Sequence, residues 1–299
     1  MTTKTRNGLL AMCILVFPFV LFSIFLFSRL AEIPPPAVTL PNTNGYEDLV
    51  KAGKMVAAES GNYDGMNAAQ LRELAGRNAD TLALARSGFS NECRVPLQFS
   101  TNYLNAHLNE LASLKRLAQG FIAEGLLADM ENRTNDAVQA FLDTIHLGNE
   151  AARGGVLIDN LVGIAINAMG TANLETQVPR LDASTCRRAA AALETLDSQG
   201  QTLKESIQQE SAWRKAYARL QKRTISVAEA RSMQNIDQSY ERKFNAEEQK
   251  KRQLTIDLAA RAYELDKGHP PTSTADLVPE FLKAVPLDPG TGTDLIYTP

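Results

Sequence analysis

Between Asn7 and Ser28 the chain carries no charged side chain, and Leu, Ile, Val and Phe dominate. About 20 apolar residues in helix span the hydrocarbon core of a bilayer. In lipid every backbone N–H and C=O must bond internally, so such a run is expected to be a transmembrane helix. That expectation constrains the rest: whatever folds from the remaining residues does so tethered to a membrane.

Lys4 and Arg6 precede the run, and Arg29, Glu32 and a Pro-rich stretch follow it. Positive charge collects on the cytoplasmic side, which places residues 1–6 in the cytoplasm and the bulk of the chain outside the inner (plasma) membrane. A cleaved signal peptide fits less well, because its apolar region is shorter and Ser28-Arg29-Leu30-Ala31 is a poor cleavage site. Cys13 follows Met12 with most of the apolar run still to come, which does not suit a lipoprotein signal. Gly8 stands where a prepilin would be cut, but Cys13 occupies the place of the expected Glu.

The formal net charge is −3, and with Lys4 and Arg6 inside, the outer part sits near −5. That balance leaves no electrostatic footprint for nucleic acid, and it disfavours docking on anionic headgroups. The expected contacts are the membrane, through residues 7–29, and an unidentified protein partner. Outside the span only Cys93 and Cys186 remain. In an oxidising compartment such a pair is a disulfide candidate. A bridge closing a loop of about 90 residues, if unstrained, stabilises by roughly 3–4 kcal/mol or more.

Pro34-Pro35-Pro36 and Pro41 make residues 30–44 a stiff spacer. Beyond it the pattern is mainly α. Tyr46, Leu49, Val50, Gly53 and Val56 form one stripe, capped by Asn44 and stopped near Gly61. Leu71 to Leu84 mark a second helix ending near Gly88, and Tyr103 to Leu127 a third, capped by Ser100 or Thr101. Asn132 to Asn135 reads as a turn into a return helix broken by Gly154-Gly155. Val156 to Met169 is too short and polar for a second span, so it predicts a helix buried on most sides. Asp182 should cap the next helix. Residues 45–200 thus read as a helical-hairpin domain, 201–267 as long charged helices and 268–299 as a Pro/Gly-rich module. That module should hold little or no β: a short helix over 276–282 and at most a small strand at Leu295-Ile296-Tyr297.

Phe121, Gly125, Ala137 and Phe141 stand at the spacings of one tetratricopeptide repeat, which the sequence resembles over that unit alone. The resemblance implies a helical hairpin in close contact. Ala262-Tyr263, Gly268, Pro270, Asp276-Leu277-Val278-Pro279, Val285-Pro286-Leu287-Asp288-Pro289 and Tyr297 resemble the tail of type II secretion major pseudopilins. That likeness implies a helix running into a loop and small sheet. Taken whole, span, spacer, body and tail resemble a family of bacterial single-pass membrane-anchored helical proteins, a resemblance that carries no activity with it.

The three histidines, His107, His146 and His269, lie in separate segments without an HExxH motif, so neither metal nor cofactor is expected. No nucleophile elbow, P-loop or GxGxxG occurs. Asp288, Thr291, Thr293 and Asp294 could offer oxygens to calcium, but they read rather as a stabilised turn. Asp159 and Asn160 interrupt an apolar stretch and are expected at a polar edge or bonded to a neighbouring helix. These features point to a non-catalytic interaction or scaffold protein of the cell envelope. The rivals are an accessory part of a pseudopilin-like secretion or pilus system and an envelope enzyme without a recognisable motif. A deep pocket lined by convergent carboxylates, or by His107 and His146, would favour the enzyme.

Overall fold

The computed structural model describes residues 39–57, 63–98, 103–220 and 226–297. The expected span at 7–29 and the Ser100 or Thr101 cap lie outside them. Among the described residues no helix is long and apolar enough to cross a membrane. The architecture is mainly α, as the periodicity predicts. Its helices are α1 (Gly45–Met55), α2 (Ala68–Gly88), α3 (Tyr103–Met130), α4 (Thr134–Ala152), α5 (Leu157–Gln177), α6 (Ala183–Gln199), α7 (Leu203–Leu220) and α8 (Val227–Lys267).

Local chemistry sets the boundaries. The Asn44 side chain accepts the Tyr46 amide at the start of α1. Asn67 and Gln70 form a reciprocal capping box on α2. The Asp182 carboxylate accepts the Thr185 amide at 2.7 Å at the start of α6. Each such cap is worth about 1 kcal/mol. Helix α1 stops at Met55, short of the expected Gly61, because Asn78 of α2 captures Ala57, two residues on. Its Oδ1 accepts from the Ala57 N–H at 2.8 Å, and its Nδ2 donates to the Ala57 carbonyl at 3.0 Å.

Helices α4 and α5 form the spine, with a core on either side. One core joins Leu49 of α1, Leu82 of α2, Leu114 and Phe121 of α3, and Leu147 of α4. The other joins Phe141 and Ile145 of α4, Leu174 of α5, Leu193 of α6, and Ile256 and Leu258 of α8. Leu277, Phe281 and Leu295 of the C-terminal module complete it. The described parts of 45–200, 201–267 and 268–299 therefore share one core. Fully burying each Leu, Ile or Phe stabilises by about 1.5–3 kcal/mol before entropy is counted.

Two close approaches draw α3, α4 and α5 together. A Cβ on Gly125 of α3 would lie 2.4 Å from the Phe141 ring, so the repeat-like spacing in the sequence marks a real contact between hairpin arms. A Cβ on Gly163 of α5 would lie 2.5 Å from the Gly148 carbonyl of α4. Between the hairpin arms the chain turns through Asn132 at φ 57°, a left-handed conformation that Asn tolerates better than most residues.

The C-terminal module corrects two expectations. Its short helix is a 3-10 turn over Thr274–Leu277. The strand expected at 295–297 is replaced by a single antiparallel bridge, Leu287 to Asp294. Thr274 explains this: its hydroxyl donates to the Leu295 carbonyl at 3.0 Å and accepts the Tyr297 amide at 2.7 Å, taking the groups a strand partner would use.

The expected disulfide is also corrected. Cys93 and Cys186 are free and buried, with no bond between them. Cys93 packs in the core around Tyr46 and Val95, Cys186 in the core around Ala189 and Leu193. Separate apolar surroundings keep the two sulfurs in separate places. Burial pushes both thiols up, Cys186 to about 11 and Cys93 further still, so neither is poised to react.

Candidate functional site

The loop from α6 to α7 divides one groove into two halves that share Gly200 and Gln201 as walls. The first half holds about 450 Å³ between α4, α5, α8 and the Asp288–Gly292 turn. The second holds about 720 Å³ beside Arg94, Arg153 and the first turns of α7. Gln201 pins the divide: its Oε1 accepts the Gly154 amide at 2.6 Å, and its Nε2 donates to the Ser206 hydroxyl at 3.2 Å. Ser206 in turn donates to Asn160 Oδ1 at 2.9 Å, so Asn160 is bonded to a neighbouring helix as the sequence suggests.

The floor of the first half carries a carboxyl pair, Asp197 of α6 and Glu248 of α8, flanked by Lys251 and Arg252. Lys251 Nζ donates to Glu248 Oε1 at 2.7 Å, and Arg252 Nε to Asp197 Oδ2 at 3.1 Å. Burial opposes the ionised form of both acids. At Asp197 the hydrogen bond from Glu248 and the charges of Lys251 and Arg252 outweigh burial, and its carboxyl falls below the usual range. At Glu248 burial and the Asp197 carboxylate outweigh Lys251, and its carboxyl rises. The two carboxyls are thus shifted in opposite senses by each other and by the flanking cations. Arg252 also donates from Nη1 to the Leu287 carbonyl at 2.7 Å, which ties the C-terminal turn across the groove.

A second polar cluster lies inside the other core. His107 of α3, with a fully buried side chain, hydrogen-bonds through Nε2 to Asp159 of α5, which is equally buried. Its Nδ1 lies 3.2 Å from Glu110 Oε2, and its ring stacks on Tyr103 with centroids 4.8 Å apart. Asp159 also accepts the Val156 amide at 2.7 Å, which starts α5. Burial alone would lower His107. The hydrogen bonds and charges of Asp159 and Glu110 more than offset it and hold the imidazole above its ordinary value. The Tyr46 and Tyr103 hydroxyls are buried without a hydrogen-bond partner, and burial followed by the nearby carboxylates pushes both far up. A surface hollow of about 460 Å³ along α1 reaches Tyr46 and Glu110 but not the His107 ring.

The structure thus brings together His107 and Asp159, and it leaves the other sequence candidates apart. His146 stacks on Phe89 at 4.3 Å and pairs with Glu150 at 3.5 Å. His269 is exposed against Tyr263. Asp288 Oδ1 accepts the Gly290 and Thr291 amides at 2.9 and 2.8 Å, which is the stabilised turn. Among the described residues no three His, Cys, Asp or Glu side chains stand close enough to hold a metal ion. Sequence reading missed Asp197, Glu248, Lys251, Arg252 and Arg94. Glu248, Lys251 and Arg252 lie in a charged run like any solvated helix, and nothing in that run marks the far side as buried. No family model, curated protein or solved structure matches this chain.

Proposed function

We propose that the protein is a membrane-anchored, extracytoplasmic interaction protein of the cell envelope, non-catalytic, which receives a partner in the groove between α4, α5, α7 and α8. The anchor is the uncharged run at 7–28. The observation that carries the reading is the groove itself: helices on a packed spine hold its walls, and the Arg252–Leu287 bond fixes its rim. Helices around an open, mostly apolar cleft with a few fixed polar groups are the arrangement that binding sites use.

The enzyme reading draws on the Asp197–Glu248 pair, whose carboxyls are shifted in opposite senses as in acid–base sites. Lys251 and Arg252 already occupy those oxygens, and that arrangement favours a brace between α6 and α8 over a reacting group.

Photocrosslinking in intact cells from an unnatural residue at position 208 tests the proposal. A discrete crosslinked species, absent when the same residue is placed at position 115 on α3, is expected. The same pattern from both positions would overturn it.

A further inference from the structure

We infer that the end of α7 and the start of α8 form a basic arm that docks on anionic phospholipid headgroups of the membrane holding the anchor. This rests on the anchor in the reading above and not on the groove.

The starting point is an asymmetry that the net charge conceals. Residues 211–233 carry six Lys or Arg against one Glu, a balance of +5 in a chain of −3, so the rest stands at −8. The cations are Arg214, Lys215, Arg219, Lys222, Arg223 and Arg231. Arg214 is committed to Glu210 and Asp237. Lys215, Arg219 and Arg231 are exposed, and their side chains make no ion pair or hydrogen bond among the described residues. The one acid, Glu229, is engaged by Ser226 at the start of α8. Exposed charges act over about 8–10 Å in physiological salt, so the acidic remainder does not cancel this cluster. The whole-chain balance that disfavours anionic headgroups therefore fails locally.

The fold sets these cations apart from the body. Trp213 packs against the core around Tyr46, and Tyr217 stacks on Trp213 with ring centroids 5.0 Å apart. Past Trp213, no described side chain of residues 214–219 or 226–236 is buried. Lys215 and Arg219 stand four positions apart, on one face of α7.

The occupant follows from where the described chain begins. The Asn44 side chain, at the start of α1, holds both backbone groups of Arg94 at 2.9 and 2.7 Å. Arg94 lines a hollow together with Gln208, Gln209 and Ala212 of α7. The arm thus leaves the body beside the start of α1. Twelve positions separate Ser28, the end of the uncharged run, from Leu40. A chain of that length reaches no further than about 40 Å. The bilayer is therefore held near this end of the molecule, and tethering makes the encounter intramolecular. Leu40, and Leu104 and Leu108 at the start of α3, are exposed here as well. Apolar groups beside cations suit the boundary between headgroups and acyl chains, and a nucleic acid backbone would leave them unmatched.

The test uses the full chain in lipid nanodiscs, with a fluorescent amino acid at position 218 as energy donor and a headgroup-labelled lipid as acceptor. Discs of phosphatidylcholine alone are compared with discs of phosphatidylcholine mixed with phosphatidylglycerol. Transfer from position 218 should be greater in the mixed discs and should fall at high salt. Each of Lys215→Gln, Arg219→Gln and Arg231→Gln should lower the ratio of docked to free arm about fivefold. Lys215→Arg, which keeps the charge, should behave as wild type. A donor at position 136, beyond the far end of α3, should show no rise in the mixed discs. Matching melting temperatures show that the variants are folded, and the lipid and salt comparisons need no variant. Equal transfer from position 218 in the two kinds of disc overturns the inference, even where the arm captures an acidic protein or an oligonucleotide instead. Transfer unmoved by salt and by all three Gln substitutions overturns it too. If the chain enters the discs and transfer is equal, docking falls and the anchor stands. If the chain does not enter the discs, both fall.

Discussion

Arg252 donates to the carbonyl of Leu287 at 2.7 Å while holding Asp197 at 3.1 Å, so one guanidinium joins the end of α6, the middle of α8 and the C-terminal turn. It is a quarter exposed, which limits its worth to stability to about 1 kcal/mol or less. Its effect on order should be larger. Arg252→Ala is expected to speed hydrogen exchange in residues 286–295 at least several-fold while leaving α1 to α3 unchanged. Uniform exchange across the chain would contradict the tie.

Gly125 meets the Phe141 ring at the centre of the α3–α4 hairpin. Gly125→Ala would gain helix propensity but would drive a methyl into a buried ring. Overpacking costs about 1–3 kcal/mol, against a propensity gain of about 1 kcal/mol. Gly125→Leu, with three more carbons and no space, should lower the melting temperature by several degrees, at about 2–4 °C per kcal/mol for a chain of this size. A Gly125→Leu protein as stable as wild type would contradict the contact.

His107 sits between Asp159 and Glu110, and its folded-state value lies above the ordinary one. Folding therefore takes up a proton where the two values differ. The stabilisation is complete below the unfolded value, about 6.5, and is lost as pH rises through the folded one. Denaturant titrations at a series of pH values should show stability falling from pH 6 upward, and the fall should be reduced in His107→Gln. That variant should also lose about 3–5 kcal/mol, because it leaves Asp159 buried with its charge partner removed. A pH slope equal in the two proteins would contradict this role.

Cys93 and Cys186 lie in different cores with their thiols raised by burial. Both should resist a maleimide in the native protein and react after denaturation, and reduction should leave gel mobility unchanged. A mobility shift lost in Cys93→Ser would restore the bridge.

The helices were legible because their signals are local. Asn44 and Asp182 cap where caps were expected, and Gly88 closes α2. The hairpin contact at Gly125 and Phe141 was legible for the same reason, since a turn of fixed length joins its arms. The groove was not. Asp197 and Glu248 lie 51 positions apart, and each sits in an ordinary polar stretch. His107 and Asp159 were each visible alone, but only the packing of α3 on α5 makes them a pair. The strand at 295–297 failed because apolar alternation cannot reveal that Thr274 already holds its backbone.

The most direct test of the whole account is protease treatment of spheroplasts prepared from cells expressing the full chain. The account predicts that the intact chain sediments with membranes, resists alkaline carbonate and is cut by protease added outside. Recovery of the full-length chain in the soluble cytosolic fraction, protected from that protease, would contradict it.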